Sequence, residues 1–167
     1  KYKTTEVKEK KLEEIIVCSS NDKEIKTGFS RGQIVATYVN IARDTANTTA
    51  EDMTPTKLGK AAQSAVKGTK VQVKVLGEKE LHKLKMGLLL AVGQGTVHET
   101  KLIVMEYWGL KKPPASSTIP RELRPIVFVG KGITYDTGGL NVKPSGGMHD
   151  MHMDMSGGSS VISAIAC

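Results

Sequence analysis

Three short runs of apolar, largely β-branched residues constrain this chain most: KVQVKVL at 70–76, LIVMEYW at 102–108 and PIVFVG at 125–130. The first alternates strictly, with Val71, Val73 and Val75 on one side, as a half-buried strand does. The other two are nearly continuous in apolar character, which fits strands buried on both faces of a sheet. Stretches of helical periodicity separate them, and helices alternating with buried strands define the α/β class. The expectation is a mixed, largely buried sheet flanked by helices, with all three runs as strands of one sheet. A fourth run, LEEIIVC at 12–18, has the composition of a further short strand.

The helices carry their own signals. Ser30 stands three residues before Gln33, a capping-box arrangement, and Ile34, Tyr38, Ile41 and Thr45 follow at helical spacing. A helix over about 31–46 is expected, preceded by a polar loop at 19–28. A second helix is marked by Thr54 as cap, Pro55 at the first position and Gly68 at the stop. Leu58, Ala61, Ala62, Ala65 and Val66 form its apolar face. A short helix is expected over 78–85, and the proline-containing KKPPASSTIP reads as a surface loop.

Composition narrows the class. At 167 residues, 39% hydrophobic and 25% charged, the chain is long enough for one domain with a core. Its apolar run Met86 to Val92 is far shorter than the ~20 residues a membrane span needs. The charged N-terminus has no signal-peptide character. Two cysteines, Cys18 and Cys167, are too few for a disulfide framework, so free thiols in a cytoplasmic setting are expected. The net charge of +7 is spread along the chain without a nucleic-acid-reading motif, so a nucleic-acid partner is not expected. The chain lacks an initiator methionine and ends in SSVISAIAC, which reads as a helix still running, so a fragment is expected.

Chemistry concentrates after the third run, in VFVGKGITYDTGGLNVKPSGGMHDMHMDMSGG. Polar functional residues belong beyond the carboxyl end of a buried strand in an open α/β sheet. Taken alone, Asp136 and its glycines could simply make turns. The Asp-Thr-Gly also matches the loop of an aspartic protease lobe, but such enzymes pair two aspartates and the chain has one such triplet. The thioethers and imidazoles of Met148, His149, Met151, His152, Met153 and Met155 are donors suited to Cu(I).

Read as a whole, the segment resembles the leucyl aminopeptidase family. The residues that carry the likeness are VGKGITYDTGGLNVKP and GMHDMHMDMSGGSS, together with IARDTANTTAEDMTPTKLG and MGLLLAVGQGTVHETKLIVMEY upstream. The resemblance covers about residue 31 to the end. It implies that residues 1–30 are the tail of an N-terminal domain or a linker, and that 31–167 are the N-terminal part of a metallo-aminopeptidase catalytic domain, truncated.

By the same resemblance, Lys131, Asp136 and Asp154 are metal ligands and Asp136 bridges two divalent ions. Zn²⁺ or Mn²⁺ suits such an oxygen and amine set, with Co²⁺ or Mg²⁺ also possible. Lys143 matches the family's catalytic lysine, a cation over the tetrahedral oxyanion. The implied reaction is release of N-terminal amino acids such as leucine from peptides, by a cytoplasmic hexamer. The family's remaining ligands, and the arginine that holds a bicarbonate, lie in a later segment that the chain does not contain. The fragment alone is therefore expected to be inactive. Smaller departures are His152 in place of a lysine and NTTAE in place of NTPAN. The alternative is a non-catalytic family member that acts as a scaffold or assembly subunit.

Overall fold

A computed structural model describes residues 12–18, 22–109 and 124–167. The chain divides into two units, Lys1–Gln33 and Ile34–Cys167. In the first unit, residues 12–18 form neither strand nor helix. Leu12, Ile15 and Ile16 are exposed there. Apolar composition suits a strand, but a strand exists only where a neighbour completes its hydrogen bonds.

Helix α1 (Asp22–Ala46) begins at Asp22 rather than at about residue 31. Ser30 lies inside it, so the expected capping box is not used, and the part of the expected polar loop from residue 22 onward is helical. Asp22 and Glu24 occupy the first turn and Arg43 the last, each of the sign that favours its end of the helix dipole. Tyr38, Ile41 and Thr45 are half-buried as the spacing predicts, while Ile34 is exposed.

The second unit follows the sequence signals closely at first. Helix α2 (Pro55–Ala65) has Thr54 at its N-cap, where the hydroxyl accepts a hydrogen bond from the Lys57 N–H at 3.4 Å, and Pro55 opens the first turn. The chain leaves the helix through Gly68, whose φ of +84° few other residues tolerate. Strand β1 (Gln72–Leu76) pairs antiparallel with β2 (Leu102–Glu106), with Gln72 opposite Glu106 and Leu76 opposite Leu102. Helices α3 (Glu78–Lys83) and α4 (Gly87–Gly93) lie between the two strands in sequence. Beyond residue 124 come a short helix α5 (Ser145–Met148), a 3-10 turn at Met151–Met153 and helix α6 (Ser156–Ala166).

The core sits where α2, α6 and one face of the sheet meet. Met53, Leu58, Ala62, Met155 and Ile162 form it, with Val73, Ile103 and Met105 packed against them. Val73 and Met105 are paired across the two strands, so the alternation read at 70–76 does select the face that meets the core.

Residues 125–130 depart from expectation. They form neither strand nor helix, and they are not buried: Ile126 is 83% exposed and Val129 92%. The sheet among the described residues consists of β1 and β2 alone. The apolar pattern is that of an interior strand, but no described segment lies alongside to pair with it. The architecture is an α/β arrangement with a small sheet, and it matches an incomplete α/β domain. The KKPPASSTIP loop lies outside the described residues. Among the described residues no helix is long and apolar enough to cross a membrane. Cys18 and Cys167 are free and exposed.

Candidate metal centre

The segment after Gly130 folds back on itself and brings four charged side chains together. Asp136 Oδ1 accepts a hydrogen bond from the Gly138 N–H at 2.8 Å, a local turn that aspartate is suited to make. Gly138 has a φ of +90°, and a Cβ there would fall 2.4 Å from the Asn141 carbonyl oxygen. The backbone N–H of Lys143 closes the loop on the Thr137 carbonyl at 2.9 Å. This closure returns the Lys143 side chain over Asp136, with Nζ 3.0 Å from Oδ2.

Lys131 and Asp154 complete the cluster. Lys131 Nζ lies 2.5 Å from Asp154 Oδ2 and 3.9 Å from Asp136 Oδ2. Asp154 stands just ahead of α6, in the turn whose next residue, Met155, is wholly buried in the core. The four residues form a chain of alternating charge, Lys143–Asp136–Lys131–Asp154. Lys143 Nζ also donates to the thioether of Met151 at 3.3 Å, and the Tyr135 hydroxyl donates to the Met148 carbonyl at 3.3 Å.

These contacts set the protonation behaviour of two members. The short contact with Asp154 is the main influence holding Lys131 above the ordinary lysine range; burial opposes it, and the charge of Asp136 adds to it. For Asp136 the Gly138 N–H is the largest influence, followed by the Lys143 ammonium, and together they hold the carboxyl below the usual range. Near neutral pH Lys131 is therefore held as an ammonium and Asp136 as a carboxylate.

The donor set also fits a divalent cation. Asp154 Oδ2 is closed off from solvent and finds no well-directed hydrogen bond among the described residues. A buried carboxylate oxygen in that condition carries a penalty that a nearby cation relieves. Two carboxylates and a lysine amine at short range can serve as ligands, provided the lysine loses its proton. Among the described residues no three His, Cys, Asp or Glu side chains converge for metal binding. The carboxylates are thus two, and the third donor is an amine.

The Met and His side chains do not gather into a second centre. Met155 is in the core, where the Ser159 hydroxyl lies against its sulfur at 3.4 Å. Met151 turns to Lys143, His149 is exposed and His152 is half-buried in the 3-10 turn. Sequence reasoning missed the Met151 contact. Helical and strand periodicities do not reach across an irregular loop, so no pattern in the sequence marks it.

A small-sheet α/β domain with a lysine and aspartate cluster beyond an apolar run is the class defined by fold and site. The model of the catalytic domain of the cytosol aminopeptidase family matches residues 40–167, and the chain belongs to that family. A probable cytosol aminopeptidase of Polaromonas naphthalenivorans is 38% identical over 163 residues, covering 96% of this chain and 30% of that protein. Among solved structures, the cytosol aminopeptidase of Coxiella burnetii superposes with a TM-score of 0.70 at 30% identity, over 81% of this chain and 27% of the other. The bottromycin maturation enzyme BotP in complex with Mn superposes with a TM-score of 0.71 at 28% identity, over 84% of this chain and 28% of the other. The chain thus spans about a third of the length of the curated relatives it matches.

Proposed function

We propose that this chain carries part of the active centre of a metal-dependent aminopeptidase, which releases N-terminal residues such as leucine from peptides. The observation that supports this reading best is the convergence of Lys131, Asp136, Lys143 and Asp154, a set drawn from the family's matched region and held within 3.9 Å from one member to the next. Lys131, Asp136 and Asp154 would hold divalent ions, with Asp136 shared between two. Zn²⁺ and Mn²⁺ suit the donors, and the Mn complex of BotP is consistent with the second. When bound, such ions polarise the peptide carbonyl and activate water near neutral pH.

The chain's own residues do the rest. Lys131 would have to release its proton for its amine to hold a metal ion. Asp136, fixed by the Gly138 N–H, keeps one oxygen directed at Lys143. Lys143 remains an ammonium and stabilises negative charge that develops on the substrate carbonyl oxygen. The Met151 sulfur accepts a hydrogen bond from that ammonium, and a thioether accepts weakly and does not neutralise it.

The chain covers about a third of the length of its relatives, and we propose that catalysis also needs further metal ligands and a bicarbonate site from outside the matched region. Peptide substrates, a hexameric assembly and a cytoplasmic setting belong to the same proposal. The test is hydrolysis of leucine-p-nitroanilide with added Mn²⁺ or Zn²⁺. The 167-residue chain should be inert, and the chain extended through its downstream coding sequence should be active. If the extended protein is folded, metal-loaded and inert, the role is that of a non-catalytic assembly subunit.

A further inference from the structure

Two consecutive glycines, Gly157 and Gly158, follow Ser156 in the first turn of α6, just after the candidate ligand Asp154 and the core residue Met155. Glycine in a helix costs about 1 kcal/mol relative to alanine, so local propensity does not explain the pair. Close approach does. The Gly158 N–H belongs to the first helical turn, where donors have no partner within the helix. It donates instead to the Lys131 carbonyl at 2.7 Å.

Three missing side chains make that bond possible. A Cβ at Gly130 would sit 2.4 Å from the Gly157 carbonyl oxygen and 2.7 Å from the Gly158 nitrogen. One at Gly157 would meet the Lys131 nitrogen at 3.0 Å, and one at Gly158 the Lys131 oxygen at 3.2 Å. Every one of these neighbours is backbone, which cannot swing aside as a side-chain tip can. The beginning of α6 is itself anchored, through Met155 and Ile162 in the core. The segment ending at Gly130 is therefore held against a fixed support, at the point where Lys131 leaves it.

We propose that Gly130, Gly157 and Gly158 are positioning residues that set the reach between Lys131 and Asp154. The proposal rests on the metal-centre reading for its functional meaning, since these are two of the three ligands assigned there. The geometric claim concerns the metal-free chain and can fail separately. Alanine at Gly130 should push the segment off α6 most, alanine at Gly157 less, and alanine at Gly158 least. Gly146, around whose ideal Cβ there is no atom within 4 Å, is the control.

The experiment uses the full chain without metal. Amide hydrogen exchange at Gly158 reads the bond to Lys131, and acetic anhydride labelling with mass spectrometry reads how well Asp154 covers the Lys131 amine. The exposed Lys67 in the same molecule is the labelling reference. In Gly130→Ala, protection at Gly158 should fall about tenfold, and Lys131 labelling should rise about threefold or more relative to Lys67. Gly157→Ala should be intermediate, Gly158→Ala smaller still, and Gly146→Ala unchanged. A merely structural loss would lower protection across α2 as well, and the expected change is confined to Gly158 and Lys131. If Gly130→Ala does not fold by circular dichroism, the milder Gly157→Ala and Gly158→Ala decide the matter. Wild-type exchange and labelling in folded variants overturns the proposal and leaves the metal reading untouched. An inert extended enzyme with the graded response intact does the reverse.

Discussion

The ammonium of Lys131 faces Asp154 Oδ2 at 2.5 Å, and that oxygen is closed off from solvent. A half-exposed lysine thus compensates a carboxylate atom that water cannot reach. The same two residues are the proposed metal ligands, and on that proposal the lysine proton and a metal ion would compete for one carboxylate.

Metal affinity should depend steeply on pH. Lys131 is held above the ordinary lysine range, so it is protonated at neutral pH and must release a proton for its amine to ligate. The apparent affinity of the chain for Mn²⁺ should be weak near pH 7 and rise by up to about tenfold per pH unit below the Lys131 pKa, the slope for one released proton. Calorimetry in two buffers of different ionisation enthalpy measures the proton directly. Binding without proton release would show that Lys131 is not a ligand.

Removing one member of the pair should cost more than removing both. Lys131→Met leaves the closed-off Asp154 oxygen without a cation and should destabilise the chain by about 1 kcal/mol, because the lysine itself is half in water. Adding Asp154→Asn should recover part of that loss. Urea unfolding of the two single variants and the double variant gives the coupling. Additive losses would mean that the pair does not interact in solution.

The Asp136 turn should be sensitive to acid. Its folded-state pKa lies below the ordinary value of 3.8, so the folded state binds this proton less readily than the unfolded one. Its contribution to stability is therefore complete above the ordinary carboxylate range and is lost as pH falls through the depressed value. Amide exchange at Lys143, whose N–H closes the loop on Thr137, should lose protection in that acid window. Asp136→Asn should remove most of the pH dependence. Unchanged protection down to full protonation would contradict the proposed hold of Asp136 on the loop.

Local signals were legible where neighbours in sequence decide the structure. Thr54, Pro55 and Gly68 mark α2 because cap, first turn and stop are each matters of a few adjacent residues. The alternation at Val71, Val73 and Val75 likewise gives the face of β1 that meets the core. Ser30 misled because a capping box is one of several ways to begin a helix, and the helix already runs from Asp22, with Asp22 and Glu24 in its first turn. PIVFVG misled for a different reason: its composition records burial in a sheet, while pairing depends on a partner that the described residues do not provide. At the site, family likeness singles out Lys131, Asp136, Lys143 and Asp154, and the structure brings these four side chains together. The glycine contacts beneath them were not legible, since a Gly-Gly pair does not reveal which backbone it approaches.

The most direct test of the central claim is the kcat for leucine-p-nitroanilide of the chain extended through its downstream coding sequence, loaded with Mn²⁺ or Zn²⁺, in wild-type and Lys143→Ala forms. The account predicts an active wild type and a kcat lowered by about 10²–10³ in Lys143→Ala, the scale of losing one oxyanion stabiliser. Asp136→Ala should cost more, because a shared ligand would serve both ions, and Met153→Leu, on an exposed side chain outside the charged set, should retain most activity. A folded, metal-loaded wild type with no activity would contradict the aminopeptidase reading. An active wild type matched by Lys143→Ala would contradict the role given to that lysine.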